Sequence, residues 1–440
     1  MINSSAIILA AGEGTRMCSN TPKILHKIAG LPMINHVINT VKKANITDIA
    51  VIIGNQSSKV EEVLKENLAN LKFFKQENRQ GTAHAVLTAK KFLENNDSDI
   101  TYIVYGDTPL IESEDLKLAQ QKITNGADLV IFGFIPPDPQ GYGRLIEENG
   151  KLIKIIEEKE ADDSQKNIKF CNSGLMVVKT KYLLPLLLKI DNNNQKQEYY
   201  LTDLVELANK EGLTVEAIKL NWQNLIGINT KEELSIAESI WQNKKRKALM
   251  QAGVTLILPE TIYFSYDTKI AADVEIFPHV FFGVGVSIDT GCKILSFSHI
   301  EQSTIGKNCS IGPYARLRPG SNLQENVKIG NFCEIKKANI AKNTKINHLS
   351  YIGDSDIGEN VNIGAGVITC NYDGVDKWKT IIKNNVFIGS QSALIAPVKI
   401  NYGAFIAAGS IITQDVPEKS LAIARSYQIN KINKLPSGKK

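Results

Sequence analysis

The stretch "ILSFSHIEQSTIGKNCSIGPYARLRPG" (Ile294–Gly320) puts an aliphatic residue at Ile294, Ile300, Ile305, Ile311 and Leu317, in steps of six with a single step of five. An amphipathic α-helix repeats its apolar face every three to four residues and a half-buried strand alternates every second residue, so neither keeps this period. The register extends in both directions. It begins at Ile270, Ile276, Phe282 and Ile288, runs on through Leu323, Ile329, Ile335, Ile340, Ile346, Ile352, Ile357 and Ile363, and closes with Ile382, Ile388, Leu394, Ile400, Ile406 and Ile412. Four residues after many of these comes a small or β-branched residue, as at Val274, Cys292, Cys309, Ala315, Cys333 and Ala404. A hexapeptide repeat of this kind describes a parallel β-helix of triangular section, with one six-residue strand per side and the aliphatic side chain pointing at the axis. Residues Ile270–Pro417 supply about eight coils.

The repeat breaks once. After "NIGAGVIT" comes "CNYDGVDKWKT" (Cys370–Thr380), polar, aromatic and without a six-residue register, which must loop out of the coil. Loops carried by a rigid scaffold are where function tends to sit.

The first half reads differently. "AIILAAG" (Ala6–Gly12), "IAVIIG" (Ile49–Gly54), "ITYIVYGD" (Ile100–Asp107) and "ADLVIFGF" (Ala127–Phe134) are strand-like, and segments such as Met33–Asn45 between them carry apolar residues at helical spacing. This alternation predicts an α/β, Rossmann-like domain with a largely parallel sheet, whose ligands sit beyond the carboxyl ends of the strands. Gly12 and Gly14 of "LAAGEGTRM" follow the first strand and Gly106-Asp107 ends a later one, so both should face one crevice.

Between the halves, Thr230 and Glu233 make a capping box, Leu234, Ala237, Trp241 and Ala248 lie near one face, and Gly253 can end the segment. We read a linking helix of roughly 20 residues, its basic run Lys244–Lys247 forming a solvated face.

Composition sets bounds on function. A chain of 440 residues with 43% hydrophobic and 22% charged residues has enough apolar material for two or three cores. The net charge of +5 is mild and not gathered into arginine-rich blocks, which argues against nucleic acid. The N-terminus lacks a signal-like pattern, no run of about 18 apolar residues occurs, and the six cysteines are scattered without metal-ligand spacing. These features predict a cytoplasmic protein with reduced thiols and no membrane insertion.

The motifs "LAAGEGTRM", "PKILH", "QGTAHAV", "YGDTPL", "GYGR", "NSGL" and "EYYLTD" occur in order, followed by hexads carrying "ARLRPG", "NFCEIKK", "NHLSYIGD" and "VNIGAGVITCNYDG". Together they resemble the bifunctional N-acetylglucosamine-1-phosphate uridylyltransferase/glucosamine-1-phosphate N-acetyltransferase family over nearly the whole chain. The resemblance implies a uridylyltransferase domain at 1–229, the linking helix at 230–253, and a left-handed β-helix acetyltransferase domain with its tail at 254–440. It also implies a role in making UDP-N-acetylglucosamine for the bacterial cell wall.

For the first reaction, the resemblance places UTP against Leu9, Ala10, Gly12, Gly14, Arg16, Lys23, Gln76, Gly81 and Thr82. Glycines let backbone N–H groups approach the triphosphate, and Arg16 and Lys23 supply charge as pyrophosphate leaves. Mg2+ would be held by Asp107 and Asn229, few protein ligands being usual for that ion. Tyr105, Glu157 and Asn172 would contact the acetylated sugar, with the glycine of "GYGR" falling on Gly143 or equally on Gly141.

For the second reaction, the resemblance makes His348 the general base, oriented by Glu334. Arg318 and Lys336 would bind the phosphate of glucosamine-1-phosphate, with Tyr351, Asn362 and Lys377 completing the pocket. Asn371 and Tyr372 would sit near the amine and the developing oxyanion, to which Ser390 could donate, and acetyl-CoA would also touch Ala365, Ala408 and Arg425. A homotrimer of β-helices is implied, each acetyl-transfer pocket being built from neighbouring subunits.

Three positions depart from the pattern: Glu13 puts a carboxylate inside the phosphate loop, Ser173 replaces an expected threonine, and the tail after Arg425 is short. Two rival readings share the folds, a nucleotidyltransferase with a purely structural or regulatory β-helix and a non-catalytic binding protein. The first has no need of His348, Lys336, Tyr351 and the Asn371-Tyr372 loop together, and the second none of Arg16, Lys23, Asp107 and Asn229.

Overall fold

The computed structural model describes residues 2–54, 57–67, 71–194 and 196–432. The chain forms two compact units, Met1–Trp241 and Gln242–Lys440. The expected tail thus lies within the described residues only as far as residue 432.

The first unit is built on a twisted sheet whose main strands lie in the order Val215–Leu220, Leu129–Phe134, Cys171–Lys179, Ile100–Tyr105, Ser4–Ala10, Asp48–Ile53 and Leu71–Lys75. Ser4–Ala10 is parallel to both its neighbours, with Leu9 beside Ile52 on one side and Tyr105 on the other. Alternate residues of this strand enter opposite cores, Ala6 and Ile8 one and Ile7 and Leu9 the other, so it reads as a continuous apolar run. The sheet is mixed rather than wholly parallel: Cys171–Lys179 runs antiparallel to both its neighbours. That strand is reached through the hairpin Arg144–Glu148 and Lys151–Ile156 instead of a helical crossover.

A single helix covers Lys231–Gln251. Its start is the expected capping box: Glu233 N–H donates to Thr230 Oγ1 (3.1 Å) and Thr230 N–H to Glu233 Oε2 (2.9 Å). Gly253, at φ 90°, follows its end. In the first unit Leu234, Ala237 and Trp241 pack against Ile28, Met33 and Ile228. Ala248 is exposed, and Leu249 takes the buried position expected of it. Nor is the basic run merely solvated, because Lys245 Nζ donates to Thr268 O (2.8 Å) and Arg246 Nη2 to Ile262 O (2.8 Å).

The second unit is a coil of short parallel strands, as in left-handed hexapeptide β-helices. Successive turns stack in register, so that Ile276, Ile294, Ile311, Ile329, Ile346, Ile363, Ile388 and Ile406 follow one another along one side. All eight are at most 1% exposed. The small residues fill the corners: Val274, Cys292, Cys309, Cys333 and Ala404 are buried, and every cysteine of the protein is free. Corner residues adopt left-handed backbone, among them Asn326, Asn343, Asn360 and Asn385, whose side-chain amides hydrogen-bond from coil to coil at 3.1–3.2 Å.

The break in the repeat leaves the coil as expected. Asp356 pairs with Ile381, 25 residues on, where neighbouring steps are 17 or 18. Asp373 organises the excursion, accepting Val375 N–H, Asp376 N–H and Trp378 Nε1–H, and these donors pull its carboxyl down to about 2. Among the described residues no helix is long and apolar enough to cross a membrane.

Candidate active sites

In the first unit, the carboxyl ends of the central strands open into a cavity of about 510 Å³. Leu9, Ala10 and Gly12 form one wall, and Asp107 follows the adjacent strand, tied by Gly106 N–H to Leu9 O (2.9 Å). Gln76, Gly81, Thr82, Tyr105, Gly143, Glu157, Asn172 and Asn229 also line it. Gly14 borders a second cavity of about 290 Å³ beyond the loop, while Arg16 lies exposed on the short turn Thr15–Met17 and lines neither.

Chain geometry explains several of these positions. Gly14 has φ 65°, and a Cβ there would lie 2.5 Å from Lys23 Cβ, so the loop folds directly onto the lysine stem. At Gly81, φ is 107° and a Cβ would lie 2.7 Å from Tyr199 N, which only glycine permits. Gly143 O accepts Asn172 N–H (2.8 Å), and Gly141 also lines the cavity. Ser173 Oγ donates to Phe132 O (2.7 Å), using its hydroxyl within the fold.

Lys23 is the electrostatic centre of this site. Its ammonium forms an ion pair with Asp107 Oδ2 and donates to Asn229 Oδ1 at 3.1 Å. Asn229 is brought there because Ile228 N–H donates to Asp107 O (3.0 Å) and Glu233 Oε2 accepts Asn229 N–H (2.5 Å). Burial, aided by Glu160 and Glu198, raises the Glu157 carboxyl, and Thr202 Oγ1 donates to it at 3.3 Å. Burial, with the charges of Glu157 and Asp107, likewise raises the Tyr105 phenol. Among the described residues no group of three or more His, Cys, Asp or Glu could hold a metal ion.

Sequence reasoning missed Arg79, Tyr142, Lys196, Glu198 and Thr202, which also line the cavity. Arg79 stood between Gln76 and Gly81, both of them named from the sequence. Glu13 is exposed and ion-paired with Arg79.

In the second unit the expected residues fall into two groups. On one side of the coil, Arg318 Nη1 donates to Glu334 Oε1 at 2.7 Å, and Glu334 pairs in register with Tyr351. Burial and then the charges of Lys377 and Arg318 lower Lys336, with Asp354 opposing them. Asn371, 7% exposed, donates to the Asp354 carboxylate, while Tyr372 lies exposed on the excursion.

The second group is a column. His348, Ala365, Ser390 and Ala408 each stand two residues after an inward isoleucine on successive coils, and Arg425 donates to Ala408 O. His348 Nδ1 is hydrogen-bonded to Asn331 Oδ1 at 2.8 Å. Asn331, not Glu334, is thus the group on the imidazole, and Glu334 is engaged by Arg318. Asn331 occupies the matching hexad position one coil earlier, a signal the repeat itself carried. Asn362 lies on the same side as this column, in the row Lys345–Asn362–Phe387, and so on a different side from Glu334, Lys336 and Tyr351.

An α/β unit with a glycine loop over a strand-end aspartate, joined to a hexapeptide β-helix carrying a histidine, defines a nucleotidyltransferase coupled to a transferase of the hexapeptide class. Comparison with known proteins agrees. The nucleotidyl transferase family profile matches residues 5–247, and the bacterial transferase hexapeptide (six repeats) profile matches residues 302–337. "Bifunctional protein GlmU" of Brucella anthropi is 53% identical over 97% of this chain and 94% of that protein. The protein of that name from Bartonella quintana is 51% identical over 97% and 95%, and that of Bartonella bacilliformis 51% identical over 98% and 95%. The chain belongs to the GlmU family. It is a bifunctional uridylyltransferase and acetyltransferase of UDP-N-acetylglucosamine synthesis.

Proposed function

We propose that the first unit's cavity is the uridylyl-transfer site and that Asp107 and Asn229 hold Mg2+ there. The observation that carries this reading is the convergence of their oxygens on one cation, the Lys23 ammonium. A carboxylate and an amide oxygen aimed at one point are the hard donors magnesium takes, its other positions going to water and phosphate. When bound, the ion would neutralise charge on the phosphates as pyrophosphate leaves.

The chain's own residues position the reactants. Gly12 and Gly14 open the backbone beside Leu9 and Ala10 to the triphosphate, and Lys23 and Arg16 complement its charge. Gln76, Gly81 and Thr82 read the uracil, and Tyr105, Gly143, Glu157 and Asn172 seat the acetylated sugar. The sugar-phosphate oxygen attacks the α-phosphorus, the bond to pyrophosphate breaks, and no side-chain nucleophile is required.

In the second unit, Arg318 and Lys336 bind the phosphate of glucosamine-1-phosphate, with Glu334 holding Arg318 and Tyr351 beside it. The unfavourable charges of Lys377 and Arg318 on Lys336 support this, because an incoming dianion offsets them. With Asn331 Oδ1 as acceptor, His348 Nδ1 carries its proton and Nε2 keeps the lone pair. Nε2 takes the amine proton as nitrogen attacks the thioester of acetyl-CoA, and Asn371, Tyr372 and Ser390 stabilise the oxyanion. On its collapse the C–S bond breaks and coenzyme A leaves as the thiol with the proton from Nε2. Ala365, Lys377, Ala408 and Arg425 lie along the coenzyme. Because Asn362 occupies another side of the coil from Lys336 and Tyr351, we place it in a neighbouring subunit's pocket, which calls for a homotrimer. The protein acts in the cytoplasm on small molecules, without nucleic acid.

An omission assay tests the whole reading. Purified protein with Mg2+, glucosamine-1-phosphate, acetyl-CoA and UTP should yield UDP-N-acetylglucosamine by mass spectrometry, and removing any one should abolish it. Product from supplied N-acetylglucosamine-1-phosphate with no acetylation would reduce the β-helix to a scaffold.

A further inference from the structure

Glu13 stands between the two glycines of the phosphate loop, where a triphosphate would meet a carboxylate. Its Oε1 is ion-paired with Nη1 of Arg79. Arg79 comes from a separate connection, after the strand Leu71–Lys75, and borders both the main cavity and the smaller one bounded by Gly12, Glu13, Gly14 and Gly54. The guanidinium is seated close to the backbone there: a Cβ added at Gly54 would lie 3.3 Å from Arg79 Nη2 and 2.8 Å from Ala11 O. Gly54 therefore leaves room for the guanidinium where the two cavities adjoin.

Charge around the loop is arranged in exchangeable pairs. Lys23 faces Asp107 and Arg79 faces Glu13. The second pair is open to solvent, its side chains 35% and 58% exposed, and an exposed ion pair contributes little net free energy. A triphosphate brings more charge and paired oxygens that suit the planar guanidinium, so it can displace the carboxylate.

We propose that Arg79 is a further UTP-binding residue, contacting the phosphates, and that Glu13 is its exchangeable counter-ion, holding the guanidinium over the loop until nucleotide arrives. This rests on the reading of the cavity as the UTP site. Glu13 then supports the phosphate loop rather than weakening it, because the cation it holds is the one the nucleotide needs.

Titration calorimetry of the full chain with UTP, and with inorganic pyrophosphate as a phosphate-only probe, tests the exchange. Arg79→Gln should weaken both ligands about tenfold, the loss of one charge-assisted contact. Glu13→Gln should tighten both by about threefold as the competing carboxylate goes, and the double variant should lose that gain. Acetyl transfer by the other unit should stay unchanged in all three, reporting an intact chain. Arg79→Gln within about twofold of the parent overturns the proposal. So does a Glu13→Gln variant as weak as Arg79→Gln, which would make the pair a clamp that shapes the loop. Lys23→Met separates the two levels. If it weakens UTP while Arg79→Gln does not, only the role of Arg79 falls; if neither variant matters, the UTP reading of the cavity falls as well.

Discussion

The ammonium of Lys23 lies 3.1 Å from Oδ1 of Asn229, 206 residues away in the chain, while also pairing with Asp107 at the end of a central strand. One cation thus already bridges the two oxygens assigned to magnesium. Asp107→Ala should abolish Mg2+-dependent uridylyl transfer and leave acetyl transfer intact, as parallel assays of the two reactions on one preparation would report. Full uridylyl transfer in that variant would remove the metal assignment.

Acetyl transfer should depend on His348 to the extent that general bases usually contribute. His348→Ala is expected to lower kcat by about a hundred- to ten-thousand-fold without affecting uridylyl transfer. Asn331→Ala, which takes the acceptor from Nδ1, should cost about tenfold and displace the pH profile of kcat. An unchanged profile would reduce Asn331 to a packing role.

The charges of Lys377 and Arg318 acting on Lys336 predict how the sugar phosphate is held. Lys336→Ala should raise KM for glucosamine-1-phosphate by about tenfold while leaving KM for acetyl-CoA near its parent value. Steady-state kinetics with each substrate varied in turn would distinguish this from a general loss of the pocket.

Asp203 gives a pH-dependent stability with a definite sign. Burial first, then the charges of Asp191, Glu160 and Glu206, push its carboxyl up from 3.8 to about 6. The folded chain therefore binds this proton more tightly than the unfolded one, and the contribution is complete below about pH 4 and lost as pH rises through about 6. Denaturant unfolding should show a larger decline between about pH 4.5 and 7 for the parent than for Asp203→Asn. Equal declines would show that Asp203 is not the group responsible.

The β-helix was legible because its rule is local and strict. Ile329 and Ile346 are 17 residues apart in sequence and stack directly, and both are fully buried. Ile329→Ala should accordingly destabilise the chain by ~2–5 kcal/mol in an unfolding titration. The glycine loop, Asp107 and the Thr230–Glu233 cap were equally readable, since each depends on a few neighbouring residues. What escaped depended on contacts that sequence distance conceals. Arg79 meets Glu13 only after Ser4–Ala10 and Leu71–Lys75 have both paired with Asp48–Ile53, and Asn331 meets His348 only once the coil has closed. The antiparallel course of Cys171–Lys179 followed from a hairpin whose strands carry no helical crossover to announce them. Ala248 is exposed because the part of the helix in the second unit buries another stripe, Gln242 and Leu249, seven residues apart.

The column His348, Ala365, Ser390 and Ala408 advances by 17, 25 and 18 residues, yet each advance is one coil. At ~4.8 Å per coil the column measures off about 14 Å, whatever lies in the excursion at Cys370–Thr380. The coil is in effect a ruler with graduations fixed by backbone hydrogen bonds. Material can be added at a corner without moving a mark, so the length offered to a linear ligand and the chemistry projected over it can change independently.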